Sequence, residues 1–231
     1  MREIPTLFEL IDKAKNLSNA LAEVKKTNVC VCEGLYLALL LTEAPWACKK
    51  HLFQSMPAEN RKSDRNTAFV AKFIRLAGEN GDLESAKKVY KEVTNQDVNS
   101  LIGGYRYYCS MIYACGEVGD LKTAKEVLDD AKSVGMQDIC YYSFIDAAGK
   151  NGDMKAAAWA LDEAKSLQGN NYLPKHYLKF IEMAIKHGDW EAANRVFEEA
   201  KSTLPDPIRD FLNSISLETT DLYSFLENSD N

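Results

Sequence analysis

Three histidines (His51, His176, His187) and six cysteines (Cys30, Cys32, Cys48, Cys109, Cys115, Cys140) are the side chains of this sequence best suited to ligate a metal or act as base or nucleophile. Their spacing supports none of these roles. No H-E-x-x-H phrase joins the histidines. No C-x-x-C occurs, and Cys30-x-Cys32 lacks a second cluster at zinc spacing. The chain shows no secretory pattern, so its cysteines read as reduced and mostly packed. The stretch "LIGGY" (Leu101–Tyr105) lacks the Lys-Ser/Thr ending of a phosphate loop. No metal, cofactor, small-molecule substrate or enzyme activity is expected.

Binding a polymer is the remaining chemistry. Lys72, Arg75, Arg106, Lys175 and Lys179 could contact phosphates, and Tyr142 could stack on a base. Ala71, Cys109 and Leu178 could instead form an apolar docking face for a protein. The formal net charge of −6 and pI near 5.2 weigh against a polyanion. Choosing between these ligands requires knowing which elements carry the residues.

Those elements repeat. "NGDLESAKKVYKEV" (from Asn80), "VGDLKTAKEVLDDAK" (Val118), "NGDMKAAAWALDEAK" (Asn151) and "HGDWEAANRVFEEAK" (His187) share one phrase, with Gly at 81, 119, 152 and 188. Steps of 38, 33 and 36 residues signal a helical repeat array. Before each Gly runs an apolar stripe at i, i+3, i+4, i+7: Val70/Phe73/Ile74/Ala77, Tyr108/Met111/Ile112/Cys115, Tyr141/Phe144/Ile145/Ala148 and Tyr177/Phe180/Ile181/Ala184. After it comes a second, such as Leu121/Ala124/Leu128/Ala131 or Trp190/Ala193/Phe197/Ala200. The Gly ends one helix, the following Asp caps the next, and Ala86, Ala124, Ala157 and Ala193 leave room for close packing. In this frame Cys115 takes a small-residue site, and His176 and His187 take ordinary repeat positions.

Two weaker copies precede these, "KNLSNALAEVKK" (Lys15–Lys26) and "EAPWACKKHLF" (Glu43–Phe53), the second with Cys48 at the Ala site. The expected fold is an all-α, right-handed α-solenoid of about six helix-turn-helix repeats with a C-terminal capping helix. Its segments are two degenerate hairpins (4–56), a polar linker (57–66), four clear repeats (67–204), and a cap with an acidic tail (205–231). The cap is placed at Leu222/Phe225/Leu226. The longest apolar run, Val29–Leu41, is broken by Glu33 and Gly34 and falls short of the roughly 18 residues of a membrane span. The start "MREIPTLFEL" has neither a signal-peptide nor a transit-peptide pattern.

The four strong copies resemble the pentatricopeptide repeat family, with tetratricopeptide repeats as the near competitor. Both place Gly before the second helix and Ala five residues later. Seven residues before the Gly, where tetratricopeptide repeats want a small residue, stand Ile74, Ile112, Ile145 and Ile181. The turn "SVGMQD" (Ser133–Asp138) is also pentatricopeptide-like, whereas Ala131, Ala164 and Ala200 lean toward the tetratricopeptide pattern. The resemblance implies a non-catalytic solenoid in a mitochondrial or plastid matrix, and single-stranded RNA read one base per repeat. The family's reader positions correspond here to Ala71 with Gly104, Cys109 with Gln137, Tyr142 with Leu173, and Leu178. None is a standard reading pair. The candidate concave-face set is therefore Lys72, Arg75, Arg106, Cys109, Tyr113, Tyr142, Leu178 and Lys179, with a protein partner preferred and single-stranded RNA the alternative.

Overall fold

The computed structural model describes residues 45–56, 61–63, 66–95, 103–167, 172–205 and 209. Within them lie nine α-helices: α1 (Trp46–Ser55), α2 (Thr67–Glu79), α3 (Leu83–Thr94), α4 (Tyr105–Glu117), α5 (Leu121–Ser133), α6 (Gln137–Lys150), α7 (Met154–Lys165), α8 (Leu173–Lys186) and α9 (Trp190–Thr203). The four strong copies are thus four helical hairpins, and α1 spans most of the stretch read as the second weak copy. The first weak copy and the capping helix at Leu222/Phe225/Leu226 lie outside the described residues.

Each hairpin joint closes in the same way. In the third, Gly152 takes φ 73, which an L side chain rarely adopts. The Gly152 N–H then reaches the Gly149 carbonyl at 2.8 Å, and the Asp153 N–H reaches the Ala148 carbonyl at 2.9 Å, ending α6. The Asp153 carboxylate accepts the Ala156 N–H at 3.0 Å and starts α7. One aspartate therefore closes one helix with its backbone and opens the next with its side chain. Asp82, Asp120 and Asp189 repeat both bonds.

The cores follow the sequence stripes. All sixteen first-helix stripe positions are buried, and Ala86, Ala124, Ala157 and Ala193 have no exposed surface. Each fully buried Phe contributes about 1.5–3 kcal/mol. The second stripe holds except at its first position. Leu121 is half-buried and Trp190 is 44% exposed, because the residue directly after the cap lies at the outer edge of the joint.

The chain divides into two compact units, 1–114 and 115–231, with the division falling inside α4. In the first unit α1 packs on α2 and α2 on α3. Phe53 stacks on Phe73 with centroids 3.8 Å apart, and Trp46 lies 5.1 Å from Phe73. Arg61, from the stretch read as a polar linker, is held over the Phe53 ring and pairs with Glu92 at 3.3 Å. In the second unit each of α5 to α9 packs on its sequence neighbour and α6 also packs on α8. That is hairpin-on-hairpin stacking.

Within a unit, glycines three residues before three of the four joints let adjacent hairpins meet. A Cβ at Gly78 would lie 2.4 Å from the Ala114 Cα, and one at Gly116 2.6 Å from the Ala147 Cβ. The Gly116 carbonyl accepts the Asn151 side-chain N–H at 2.7 Å. His187 stands at the repeat position of Asn151, and its Nε2–H donates to the Gly149 carbonyl. That hydrogen bond gives His187 a structural role. His176 is buried against Tyr141, and burial lowers its imidazole to about 4, partly offset by the Asp138 backbone. It stays neutral at physiological pH.

The caps differ in consequence. Asp82 also accepts the Trp46 indole N–H and the Lys50 ammonium, each at 3.0 Å. Burial would raise its carboxyl, but the hydrogen bonds from Lys50, Trp46 and Ser85 outweigh it and hold Asp82 at about 2. We expect Asp153→Ala to cost about 1 kcal/mol in urea denaturation and Asp82→Ala about 2 kcal/mol. The difference comes from Trp46 and Lys50, which lose their acceptor. The folded state lowers the Asp82 pKa, so its contribution is present above about pH 4 and is lost as pH falls through 2. Equal costs for the two substitutions would contradict this ranking.

Candidate functional site

The first helix of each hairpin carries every residue of the candidate set, and the two units present different chemistry there. In the first unit, Lys72 and Arg75 lie one turn apart on α2. Arg75 is exposed, with its guanidinium 3.9 Å from the Tyr113 ring centre. Lys72, Tyr113 and Cys109 are half-buried, while Ala71 is buried. Arg106 is exposed in the first turn of α4 beside Tyr105. Neither Lys72, Arg75 nor Arg106 makes an ion pair among the described residues.

In the second unit three of the four first-helix lysines are paired with first-helix carboxylates. Lys150 pairs with Glu117 at 2.8 Å and with Asp146 at 3.2 Å. Lys179 reaches Asp146 at 3.7 Å and Glu182 at 2.7 Å, and Glu182 also holds Lys186. Three ammonium groups and three carboxylates thus form one continuous, neutral ladder.

Lys179 departs from the sequence expectation of a phosphate-contacting lysine. It is only 5% exposed, its ammonium lies 5.2 Å from the Tyr142 ring centre, and two carboxylates already neutralise it. Burial alone would lower its ammonium. Glu182, Tyr142 and Asp146 reverse that and hold it well above the usual lysine range. Tyr142 and Leu178 are half-buried on α6 and α8, at the repeat position shared with Cys109, and leave part of their surface open. Lys175, exposed at the start of α8, stands outside the ladder.

A second recurring cluster went unread in the sequence. Lys132 reaches Glu163 at 3.2 Å, and the Tyr141 hydroxyl donates to the same carboxylate at 3.4 Å. One repeat on, Lys165 reaches Glu199 at 2.7 Å and the Tyr177 hydroxyl donates to it at 3.0 Å. These clamps tie successive second helices together. The signal was a Lys directly after the last stripe Ala and a Glu directly before it, but pairing them requires knowing that neighbouring repeats touch.

Hairpins with one joint chemistry, stacked in register, define an all-α helical-repeat protein of the solenoid class. A model described as PPR repeat matches residues 107–136, which cover nearly all of α4, its joint and α5. The chain is a PPR-like helical-repeat protein. Comparison with curated proteins gave no match. Proteins built from this repeat are generally non-catalytic binding proteins. Among the described residues, no helix is long and apolar enough to cross a membrane.

Proposed function

We propose that the protein is a non-catalytic adaptor or assembly subunit whose first-helix face binds another protein. The observation that carries this reading is the neutral ladder from Glu117 to Lys186. A phosphate backbone is gripped by cations that exchange mobile counterions for phosphates. Lysines already paired at 2.7–3.2 Å with fixed carboxylates have no such counterions to release. Beside the ladder, Tyr142 and Leu178 offer the aromatic and aliphatic surface that anchors protein interfaces.

The test is affinity purification of tagged wild-type chain and of Tyr142→Ala with Leu178→Asp. Both positions are half-buried, so the double variant keeps its helical circular dichroism. Loss of a stoichiometric protein partner from the variant is expected. An undiminished partner would remove this face from the interface. Single-stranded RNA is the second reading, favoured by the PPR repeat match and by Lys72, Arg75 and Arg106 in the first unit.

A further inference from the structure

We infer that Lys49, Lys72 and Arg75, with Tyr113 behind Arg75, form a docking site for a short acidic segment of the partner protein. This rests on the protein-binding reading above and adds the partner's chemistry. Lys72 and Arg75 project from one stretch of α2, and α1, which carries Lys49, packs directly on α2. Lys49 and Lys72 lie close enough to repel. Burial lowers the Lys49 ammonium first and Lys72 lowers it further, with Glu79 offsetting part. The first-helix lysines of the neutral ladder each have a carboxylate partner, whereas Lys72 and Arg75 have none among the described residues. Glu79 offsets only part of this charge, and like charges gathered in excess attract an anion.

The shape of the patch selects the kind of anion. The Tyr113 ring restrains the Arg75 guanidinium and leaves its N–H edges for a carboxylate, which a planar fork grips with two parallel hydrogen bonds. Because Arg75 covers that ring, Tyr113 is not an open stacking platform for a base. Lys72 and Arg75 lie one turn apart, and the helix that carries Lys49 packs on theirs. A peptide carrying two or three carboxylates matches such a group, whereas an RNA strand gains affinity from a long series of phosphate contacts.

The experiment is fluorescence anisotropy on the full chain with two labelled probes at roughly 50 and 150 mM salt. One is a peptide of about twelve residues, Glu and Asp interspersed with Leu and Ser, and the other a uridine oligonucleotide of similar length. The wild type is expected to bind the peptide more tightly than the oligonucleotide. Lys72→Glu with Arg75→Glu should weaken peptide binding by about tenfold or more, and Lys122→Glu with Lys155→Glu, both exposed on second helices, should leave it unchanged. Peptide binding that is absent, or equal in wild type and Lys72→Glu/Arg75→Glu, would overturn the inference. So would tighter oligonucleotide binding that depends on Lys72 and Arg75, which would make the cluster a phosphate site. If the peptide fails while Tyr142→Ala with Leu178→Asp still releases a partner, only this inference falls. RNA binding that persists at physiological salt removes the protein-binding reading itself.

Discussion

Gly78→Ala should destabilise the protein by about 3 kcal/mol, reversing the gain of about 1 kcal/mol that helix propensity alone gives for such a change. The new Cβ would lie 2.4 Å from the Ala114 Cα and 3.0 Å from the Ala114 carbonyl oxygen. Both are backbone atoms, so no rotamer change relieves the clash and the two helices must separate. For a chain of this length the expected fall in melting temperature is about 6–12 °C. Gly135→Ala is the contrasting case. Nothing lies within 4 Å of a Cβ there, but its φ of 74 opposes an L side chain, so a loss of about 1 kcal/mol follows. Thermal melting of both variants checks the ranking. A stable Gly78→Ala chain would mean that the α2–α4 contact is looser than described.

Lys179→Met should cost about 3 kcal/mol near neutral pH. The lysine, Glu182 and Asp146 side chains are 6%, 12% and 14% exposed, so removing the ammonium leaves two mostly buried carboxylates with excess negative charge. In the wild type the folded state raises the Lys179 pKa. Its stabilisation is therefore present throughout the acid and neutral range and lost only above the usual lysine range. Urea denaturation at pH 7 checks this. A deficit well below about 1 kcal/mol would show that Lys179 acts through the packing of its stem, which Met retains, and not through its charge.

These two residues mark the limit of what the sequence made legible. Burial along one helix follows a period of 3.6, so Phe73, Ile112, Phe144 and Ile181 were readable as core from spacing alone. The joints were equally readable, because Gly152 and Asp153 act on their own neighbours in the chain. Interactions between hairpins were not. Gly78, Gly116 and Gly149 recur three residues before the joint, yet nothing local says that the next helix presses on each of them. Lys179 stands beside Phe180 in a position that reads as solvent-facing, and only the arrival of Asp146 from the neighbouring helix makes its burial tolerable. Trp190 erred in the other direction. Its apolar character placed it in the second stripe, but the first turn after the cap lies outside the packed layer.

For the candidate set, sequence reasoning assigned each residue to its helix but did not reveal the electrostatics there. Placing Lys72, Arg75, Lys179, Tyr142 and Leu178 on first helices required only the repeat register. Whether a given lysine is available depends on partners 33 residues away, as for Lys150 with Glu117. Charge totals do not reveal such pairing. The net charge of −6 is compatible with a basic groove, and the distribution of ion pairs is what separates the first unit from the second.

The most direct test of the central claim, that the first-helix face binds protein and not an RNA strand, is binding of the full chain to a labelled random single-stranded RNA pool. It is titrated at low and at physiological salt. With most first-helix lysines of the second unit neutralised, binding should be at most weak at low salt and should disappear at physiological salt. Affinity that survives physiological salt would contradict it, and would make the chain an RNA-binding array that reads its ligand without the usual pairs of side chains.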